Sequence, residues 1–314
     1  MIEEKIWVEK YRPAKIQDTI LPNSIKDTFQ DWVDAGDFPN LLLSSGPGTG
    51  KTTCAVALCK ELDYDYILLN GSNEGRSIDV VRDTITKFAS TVSLNGRPKC
   101  VIMDEADYMN PSSVQPALRN LIEEYSKNVR FIFTCNYLNK IIGPLHSRTT
   151  VVKFTVEKSD KPSLMGGLMK RLMMILKSEG VTLGDPKILA KLIERHYPDN
   201  RRIINELQRH SSGGDISVDV LDEIKSDNLD ALIGSIKSKD FNAMRTWFGE
   251  NIDSQPDLMV SNIVNYMIPL LDPSSVPETI VTASEYLHKL AFAADPEIHL
   301  AAFGVEVMVS SEWK

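Results

Sequence analysis

The chain has 314 residues, of which 42% are hydrophobic and 25% are charged, and its formal net charge is −8. This length is more than one compact core usually organises, so we expect two or three domains, and the acidic balance disfavours a broadly basic DNA-coating surface. No stretch of the sequence has the length and apolar character of a transmembrane helix, and the charged residues 1–13 lack a signal-peptide pattern, so we expect a cytoplasmic protein with no membrane partner.

The first half of the chain alternates short apolar runs with amphipathic segments. Residues 41–44 are an apolar run before a glycine-rich turn and predict a buried strand, and a helix is expected to follow at 51–62. The same reasoning predicts strands at residues 66–70, 100–103, 130–134 and 151–154, and helices at 78–90 and 112–125. Strands that alternate with helices predict a doubly wound parallel sheet.

After residue 154 the sequence pattern is helical. Helices are predicted at 159–180, 185–197 and 200–211, and a polar stretch at 212–227 marks a boundary before further helices broken by prolines. We therefore expect an α/β domain, a small helical domain and an all-helical C-terminal domain, at residues 1–156, 157–224 and 225–314.

A glycine-rich turn separates the first predicted strand from the helix after it. Residues 44–53 read Ser-Ser-Gly-Pro-Gly-Thr-Gly-Lys-Thr-Thr, and Gly50, Lys51 and Thr52 match the P-loop pattern G-x-x-x-x-G-K-[ST], whose first glycine is replaced by Ser45. Glycines let backbone N–H groups turn toward phosphates, the lysine neutralises the β/γ-phosphate oxygens, and the threonine binds Mg²⁺. The alternative is a glycine-rich turn with a chance lysine, but the position between a strand and a helix favours a site for ATP and Mg²⁺.

Two later strands end in polar side chains that suit ATP hydrolysis. Residues 100–107 are an apolar strand that leads into Asp104 and Glu105, the pattern of a Walker B element. In such an element the first carboxylate holds Mg²⁺ and the second orients and deprotonates the attacking water. Asn136, at the end of the strand within 131–136, can hold the same water. The alternatives are an acidic turn and a polar strand cap, but the position downstream of a P-loop favours hydrolysis.

Further segments complete a set of motifs. They are Trp7-Val-Glu-Lys-Tyr-Arg-Pro13, Asp104-Glu-Ala-Asp107, Leu145-His-Ser-Arg-Thr149 and Asn200-Arg-Arg-Ile-Ile-Asn-Glu-Leu-Gln208. Together with the P-loop they resemble the AAA+ clamp loaders, which include replication factor C small subunits and the ATPase subunits of T-even-type phage loaders. The resemblance implies an AAA+ P-loop core, a sensor-2 lid and a helical collar for oligomerisation as the three domains.

The same resemblance implies a function and a set of partners. The expected activity is an ATPase that loads a DNA polymerase sliding clamp onto primer–template DNA, as one subunit of a ring. The implied partners are the sliding clamp, primer–template DNA, and other loader subunits, both copies of this chain and one non-identical small subunit.

The resemblance also assigns roles to individual residues. Asn136 would be sensor 1, Arg201 would be sensor 2 in the lid, and Arg148 would be an arginine finger that acts on the ATP of a neighbouring subunit, although Thr149 stands where the family usually has cysteine. The other implied nucleotide contacts are Val8, Glu9, Lys10, Tyr11, Ile20, Gly48, Thr49, Gly50, Lys51, Thr52 and Thr53. The alternative for each arginine is a solvent-facing surface residue.

Two departures and two further roles complete the comparison with the family. Pro198 and Asn200 replace parts of the usual Gly-Asp-Met sequence before the sensor-2 arginine. Gln115 resembles the glutamine that couples DNA contact to the catalytic glutamate, the alternative being a solvated helix residue. The residues implied to contact the template backbone, or alternatively to form a solvated charged face, are Arg76, Arg82 and Lys87.

Two other kinds of protein share parts of this pattern. A ring motor that translocates DNA or unfolds protein usually has a pore loop and no separate helical oligomerisation domain, which residues 226–314 resemble. A non-hydrolysing initiator-type switch would not need the full hydrolytic set of Lys51, Asp104, Glu105, Asn136 and Arg148. The sequence therefore favours a clamp loader over both.

Overall fold

The computed structural model describes residues 5–73, 75, 77–91, 96–211, 214–216, 229–251, 256–290 and 292–314. The chain divides into two compact units, Met1–Val218 and Asp219–Lys314. The boundary predicted between residues 224 and 225 lies outside the described residues, as does Arg76.

The first unit is built on a five-stranded parallel sheet. Its strands are β1 (Leu41–Ser44), β2 (Asp65–Asn70), β3 (Lys99–Asp104), β4 (Val129–Cys135) and β5 (Thr150–Lys153). Their order across the sheet is β2-β3-β4-β1-β5, and every pair is parallel. The prediction of an α/β doubly wound parallel sheet is confirmed, and the β4 strand lies beside β1, so the ends of these two strands meet at one edge.

Helices cover this sheet and continue into the lid region of the same unit. They are α1 (Trp7–Lys10), α2 (Asn23–Ala35), α3 (Lys51–Glu61), α4 (Ile78–Ser90), α5 (Val114–Glu124), α6 (Gly143–His146), α7 (Lys161–Glu179), α8 (Lys187–His196) and α9 (Asn200–His210). The short strands β6 (Thr182–Leu183) and β7 (Asp215–Ile216) pair in parallel beside them. The strands and helices named from the sequence all occur, with ends that differ by no more than two residues, whereas α1, α2, α6, β6 and β7 were not predicted.

The alternation of side chains along the strands explains why the sheet is covered on both faces. Leu42 packs with Val101 and Phe131 in one apolar layer, and its neighbours Leu41 and Leu43 pack in the layer on the opposite face. Successive side chains of a strand point to opposite faces, so a strand that is apolar throughout can be satisfied only between two layers of helices. This explains why the runs at β1, β3 and β4 lack the polar alternation of a half-exposed sheet.

The amino-terminal segment is attached to the lid region by α9. The Trp7 N–H donates to Gln208 Oε1 at 2.9 Å, and Gln208 Nε2 donates to the carbonyl oxygen of Lys5 at 2.7 Å. A four-residue helix such as α1 is too short to be stable alone. Its conformation therefore depends on a partner about two hundred residues away in the sequence.

The second unit is helical. Its elements are α10 (Leu229–Ser238), α11 (Phe241–Asn251), α12 (Pro256–Met267), α13 (Val276–Leu290) and α14 (Pro296–Ser310), with a single turn of 3-10 helix at Ile268–Leu270. One apolar cluster fills its interior, with Phe248 and Phe303 among the largest fully buried side chains. Among the described residues, no helix combines the length and hydropathy that crossing a bilayer requires.

Gly304 allows α14 to approach α11 closely. A Cβ atom placed there would lie 2.6 Å from Met244 Sδ and 2.8 Å from the ring of Phe248. We expect Gly304→Val to lower the free energy of unfolding of this unit by about 1–3 kcal/mol through overpacking. Chemical denaturation followed by circular dichroism measures this, with Gly234→Val, where no atom lies within 4 Å of the added carbon, as the matched control. Equal stability of the two variants would contradict the packing argument.

Candidate active site

A cleft lies at the carboxyl ends of β1, β3 and β4. It is bounded by the turn before α3, by the amino-terminal segment and by the lid helices α7 and α9. The residues predicted to bind nucleotide or metal that line this cleft are Val8, Tyr11, Ile20, Gly48, Thr49, Gly50, Lys51, Thr52, Thr53, Asp104, Glu105, Asn136 and Arg201. The fold thus brings together groups that are up to about two hundred residues apart in the sequence.

The turn that leads into α3 has the geometry of an anion site. Gly48 and Gly50 adopt left-handed backbone angles, with φ of +70° and +96°. The first i→i−4 bond of the helix is donated by Cys54 to the carbonyl oxygen of Gly50, at 2.8 Å. The N–H groups of the preceding residues therefore have no partner within the helix and face the cleft with the positive end of the helix dipole, which favours phosphate.

Lys51 is 8% exposed, and its ammonium group is held at this turn. Its Nζ donates to the carbonyl oxygens of Ser45 (2.9 Å) and Gly46 (2.7 Å) and to Asn136 Oδ1 (2.8 Å). Burial lowers the Lys51 pKa, and the nearby Arg201 guanidinium adds to this effect. Side chains from three separate elements therefore lie together in this part of the cleft. They are Lys51 of the P-loop, Asn136 at the end of β4 and Arg201 of the lid.

Asp104 and Thr52 meet at the centre of the cleft. Asp104 Oδ1 accepts hydrogen bonds from Thr52 Oγ1 at 2.6 Å and from Thr134 Oγ1 at 2.5 Å. A carboxylate beside a hydroxyl is the oxygen-only donor set that suits Mg²⁺. Thr134 was not singled out as a site residue, although its position at the polar end of an apolar strand is the signal that could have identified it.

Glu105 lines the cleft in an unusual backbone conformation. Its φ and ψ are 54° and 43°, in the left-handed region, and its N–H donates to Thr134 Oγ1 at 3.1 Å. Gly71 makes room for this bend, since a Cβ there would lie 2.3 Å from the Glu105 carbonyl oxygen. Such strain is typical of residues whose side chain must point to a fixed place in a site.

Asp107 lies beside the site and holds the backbone that follows β4. It is 6% exposed, and its Oδ2 accepts the N–H groups of Asn136 (3.3 Å) and Tyr137 (3.2 Å). The carboxylate therefore fixes the backbone just after β4, and with it the Asn136 side chain that contacts Lys51. Sequence reasoning named the Asp-Glu-Ala-Asp motif but gave this second aspartate no role.

The other end of the cleft is apolar. Val8 and Ile20 line it together with Leu168 and Ile204 of the lid, which sequence reasoning did not name. These side chains suit a purine base.

Glu9 and Lys10, which were predicted nucleotide contacts, are not among the residues that line the cleft. The Glu9 carboxylate accepts from Arg12, which lines the cleft, at 2.6 Å, and Lys10 pairs at 2.8 Å with Glu179, which also accepts from the Tyr11 hydroxyl. The role of Glu9 and Lys10 as nucleotide contacts remains a prediction.

Arg171 is a lining residue that the sequence did not reveal. It lies on lid helix α7, and its guanidinium donates to the carbonyl oxygens of Asp18 (3.2 Å) and Tyr11. Burial lowers its pKa. The contacts attach the lid to the segment that forms the apolar end of the cleft, and the available signal was a single arginine within a Met- and Leu-rich helix.

Arg148 lies outside the cleft. It precedes β5, and the Thr150 N–H donates to the carbonyl oxygen of Asn40, the residue before β1, at 2.7 Å. Arg148 is thus near the amino ends of the strands, whereas the P-loop follows their carboxyl ends, and a four-residue strand is about 13 Å long. Its Nε donates to Glu123 Oε1 at 2.8 Å.

Gln115 is fully buried, so the alternative of a solvated helix residue is wrong. Its Nε2 donates to the carbonyl oxygens of Met109 (3.2 Å) and Lys140 (3.0 Å), and its Oε1 accepts the Ile142 N–H at 2.8 Å. The amide joins the loop after the Walker B strand to the segment that leads toward Arg148. Its coupling role remains a prediction.

The described residues predicted to contact DNA lie on one exposed helix. Arg82 and Lys87 are both exposed on α4, which begins after the N-cap Ser77. Their contact with template phosphates remains a prediction.

The comparison with protein families identifies the class of this fold and site. Residues 41–156 match the family described as the ATPase family associated with various cellular activities, AAA. Residues 160–222 match the AAA+ ATPase lid domain of the sliding-clamp-loader large subunit. The chain is therefore a nucleotide-binding ATPase of the AAA+ class.

Relatives along the whole chain narrow the identification. The sliding-clamp-loader large subunit of Enterobacteria phage T4 is 34% identical over 99% of this chain and 98% of that protein, and its counterpart in Escherichia phage RB69 is 33% identical over the same shares. The replication factor C small subunit of Saccharolobus solfataricus is 40% identical over 70% of this chain and 66% of its own length. The chain belongs to the sliding-clamp-loader large-subunit family, which confirms the resemblance inferred from the sequence.

A solved structure shows the same fold without close sequence similarity. A variant of Thermotoga maritima RuvB superposes with a TM-score of 0.55 at 16% identity, over 76% of this chain and 85% of that one. This similarity supports the AAA+ architecture alone.

Proposed function

We propose that the chain uses ATP and Mg²⁺ to load a DNA sliding clamp onto primer–template DNA, as the ATPase subunit of a clamp-loader ring in the cytoplasm. The observation that carries this proposal is the division of the hydrolytic groups. Lys51, Asp104, Glu105 and Asn136 share one cleft, while Arg148 lies near the opposite edge of the sheet. In a ring, the Arg148 of one subunit would complete the ATP site of the neighbouring subunit.

The bound nucleotide would be held along the length of the cleft. The base would pack between Val8, Ile20 and the apolar lid residues, and the phosphates would meet the N–H groups at the start of α3 together with Lys51. Thr52 and Asp104 would hold Mg²⁺, which supplies charge neutralisation at the β- and γ-phosphates. Glu105 would take the proton of the attacking water, and Arg201 would reach the phosphates from the lid.

The partners follow from the names of the relatives and from exposed surfaces. We propose that the sliding clamp, primer–template DNA, further copies of this chain and one non-identical small subunit bind it. Arg82, Lys87 and Arg76 would touch template phosphates, which suits a loader that acts at any sequence. The second unit exposes large apolar side chains, including Ile298 (64%), Val309 (76%) and Phe292 (82%), as expected of a surface that other subunits cover.

A phosphate-release assay tests the proposal. We expect clamp and primed DNA together to raise steady-state ATP turnover by about tenfold or more above either one alone, because completing each site from a neighbour depends on the assembled ring. Lys51→Ala is the control and should show no stimulation. Strong stimulation by unprimed DNA with no effect of the clamp would favour a ring motor, and binding without hydrolysis in every condition would favour a switch.

A further inference from the structure

The guanidinium group of Arg148 is held by its own chain. Arg148 Nε donates to Glu123 Oε1 at 2.8 Å, and Nη2 donates to the same oxygen. Nη1 donates to the carbonyl oxygen of Pro144 at 2.9 Å and to Ser147 Oγ at 3.2 Å. The group is therefore fixed on two sides, by a carboxylate on helix α5 and by the short segment of chain that precedes it.

These contacts leave a defined part of the guanidinium group for another oxygen. Arginine carries five N–H donors in a rigid planar fork, and four hydrogen bonds run from Arg148 to its own chain. Because Glu123 occupies the edge that contains Nε, the second N–H of Nη2 points along the end of the side chain, away from that carboxylate. A phosphate oxygen of a neighbouring nucleotide would meet this end.

Glu123 lies on a helix whose other end is held against the Walker B region. Gln115, in the first turn of α5, is buried and donates to the carbonyl oxygens of Met109 and Lys140. A side chain on a helix fixed in this way is a more precise support than a side chain on a loop. Through Glu123, the Arg148 guanidinium is therefore fixed relative to the sheet and to the loop after β3.

The ion pair is too exposed for its main contribution to be to stability. The Arg148 and Glu123 side chains are 30% and 57% exposed, and exposed pairs add little to the free energy of unfolding because water screens them. An arginine side chain has much rotamer freedom, and it loses that freedom when it must be ordered against a reacting group. Contacts that order it beforehand make this loss smaller.

We propose that Glu123 is a positioning residue for the arginine finger. Its carboxylate orders Arg148 within one subunit, so that the end of the guanidinium group is presented to the ATP of the neighbouring subunit. This inference rests on the proposed action of Arg148 in trans and deepens it. Removal of Glu123 should therefore slow hydrolysis only where Arg148 is present.

The test is steady-state phosphate release by assembled rings with clamp and primed DNA, measured over a range of ATP concentrations. Glu123→Ala is expected to lower kcat about 5- to 20-fold and to leave the KM for ATP unchanged, because a mobile arginine is less often oriented toward the phosphates. Glu124→Ala is the matched control, since Glu124 is the exposed neighbour on the same helix, and it should retain the wild-type rate. Glu123→Ala should melt within about 3 °C of wild type, so that unfolding does not explain a slower rate.

Further variants separate an ordered arginine from a general effect of charge. Glu123→Gln keeps the size of the side chain and an acceptor oxygen, so kcat should stay within about threefold of wild type. Glu123→Leu keeps most of the size without an acceptor and should be as slow as Glu123→Ala. In an Arg148→Ala background, Glu123→Ala should cause no further loss, because two residues that act through one contact are not additive.

Mixed rings locate the effect. A ring that combines Arg148→Ala with Lys51→Ala subunits should hydrolyse ATP only where an intact Arg148 faces an intact Lys51. Adding Glu123→Ala to the Lys51→Ala subunit, which supplies the arginine, should lower the recovered hydrolysis by the same factor as in uniform rings. Adding it to the Arg148→Ala subunit, which supplies the ATP site, should have no effect.

The outcomes distinguish this inference from the proposed function. If Arg148→Ala retains stimulated hydrolysis, the arginine finger itself is wrong. If Arg148→Ala loses it and Glu123→Ala behaves like Glu124→Ala, the positioning role is wrong and the finger stands. A faster Glu123→Ala would show that the carboxylate restrains the arginine, and a further loss in the Arg148→Ala background would show that it acts elsewhere; either result overturns the inference. If mass measurement shows that Glu123→Ala does not assemble, Glu123→Leu decides.

Discussion

The Glu105→Gln variant is expected to bind ATP with nearly wild-type affinity and to hydrolyse it about 10²- to 10⁴-fold more slowly, the range that general-base catalysis contributes. Glutamine has the size and shape of glutamate but cannot take a proton from water. The groups that would hold the phosphates and the metal, Lys51, Thr52 and Asp104, remain in place because their contacts do not involve the Glu105 side chain. Binding and turnover should therefore separate.

The measurement pairs equilibrium ATP binding with single-turnover hydrolysis in the presence of clamp and primed DNA. Asp104→Asn is the matched control, since it makes the same chemical change one residue earlier. That variant should lose Mg²⁺-dependent affinity as well as turnover, because Asp104 meets the Thr52 hydroxyl at the expected metal position. Failure of Glu105→Gln to bind nucleotide would contradict the division of roles between the two carboxylates.

The part of the site that sequence could predict is the part fixed by local motifs and by the direction of the strands. Lys51 and Asn136 each follow a strand of a parallel sheet and Asp104 ends one, and the carboxyl ends of such strands meet at one edge. The separation of these residues along the chain therefore did not matter. Their convergence on one cleft, with Lys51 donating to Asn136 at 2.8 Å, follows from topology and from motifs that are a few residues long.

The part that sequence could not predict depends on packing between distant segments. Arg171 lines the cleft because its lid helix lies against the carbonyl oxygens of Tyr11 and Asp18, more than 150 residues earlier. The Asn200 N–H donates to the Gly48 carbonyl oxygen because α9 lies against the phosphate loop, about 150 residues earlier in the chain. A pattern of apolar residues shows that a helix has a buried face, but it does not show which element covers that face or which polar side chain on it is left without a partner.

In the short amino-terminal helix α1, the sequence motif predicted the segment but not the direction of each side chain. Its motif was recognised, yet two of its side chains, Glu9 and Lys10, were assigned to the nucleotide. A helix with one turn points only some of its side chains toward any neighbour. The Trp7 N–H donates to Gln208, Val8 and Tyr11 line the cleft, and Lys10 and the Tyr11 hydroxyl both contact Glu179. Recognition of a motif therefore located the segment but not the orientation of each residue.

The Arg148→Ala variant is expected to bind ATP almost as well as wild type and to lower clamp- and DNA-stimulated hydrolysis by about 10³-fold or more, the contribution of an arginine finger. Arg148 lies far from the cleft of its own chain, so its removal should leave ATP affinity unchanged. Arg130→Ala is the matched control, because Arg130 and Arg148 line one shallow groove at the amino ends of the strands and Arg130, like Arg148, pairs with a carboxylate of its own chain, Asp37 at 2.6 Å. That variant should retain stimulated hydrolysis.

A mixing experiment decides whether Arg148 acts on a neighbouring subunit. Arg148→Ala leaves an intact Lys51, and Lys51→Ala leaves an intact Arg148, so an interface with one subunit of each kind can combine the two intact groups. Rings assembled from both variants should regain part of the hydrolysis that each variant lacks alone. As a control, the Arg148→Ala variant is mixed with a double variant that carries both Arg148→Ala and Lys51→Ala, and these rings should regain none. If mass measurement shows that mixed rings form and activity still does not return, Arg148 does not act in trans. Its contact with Glu123 would then be the reason for an arginine at this position.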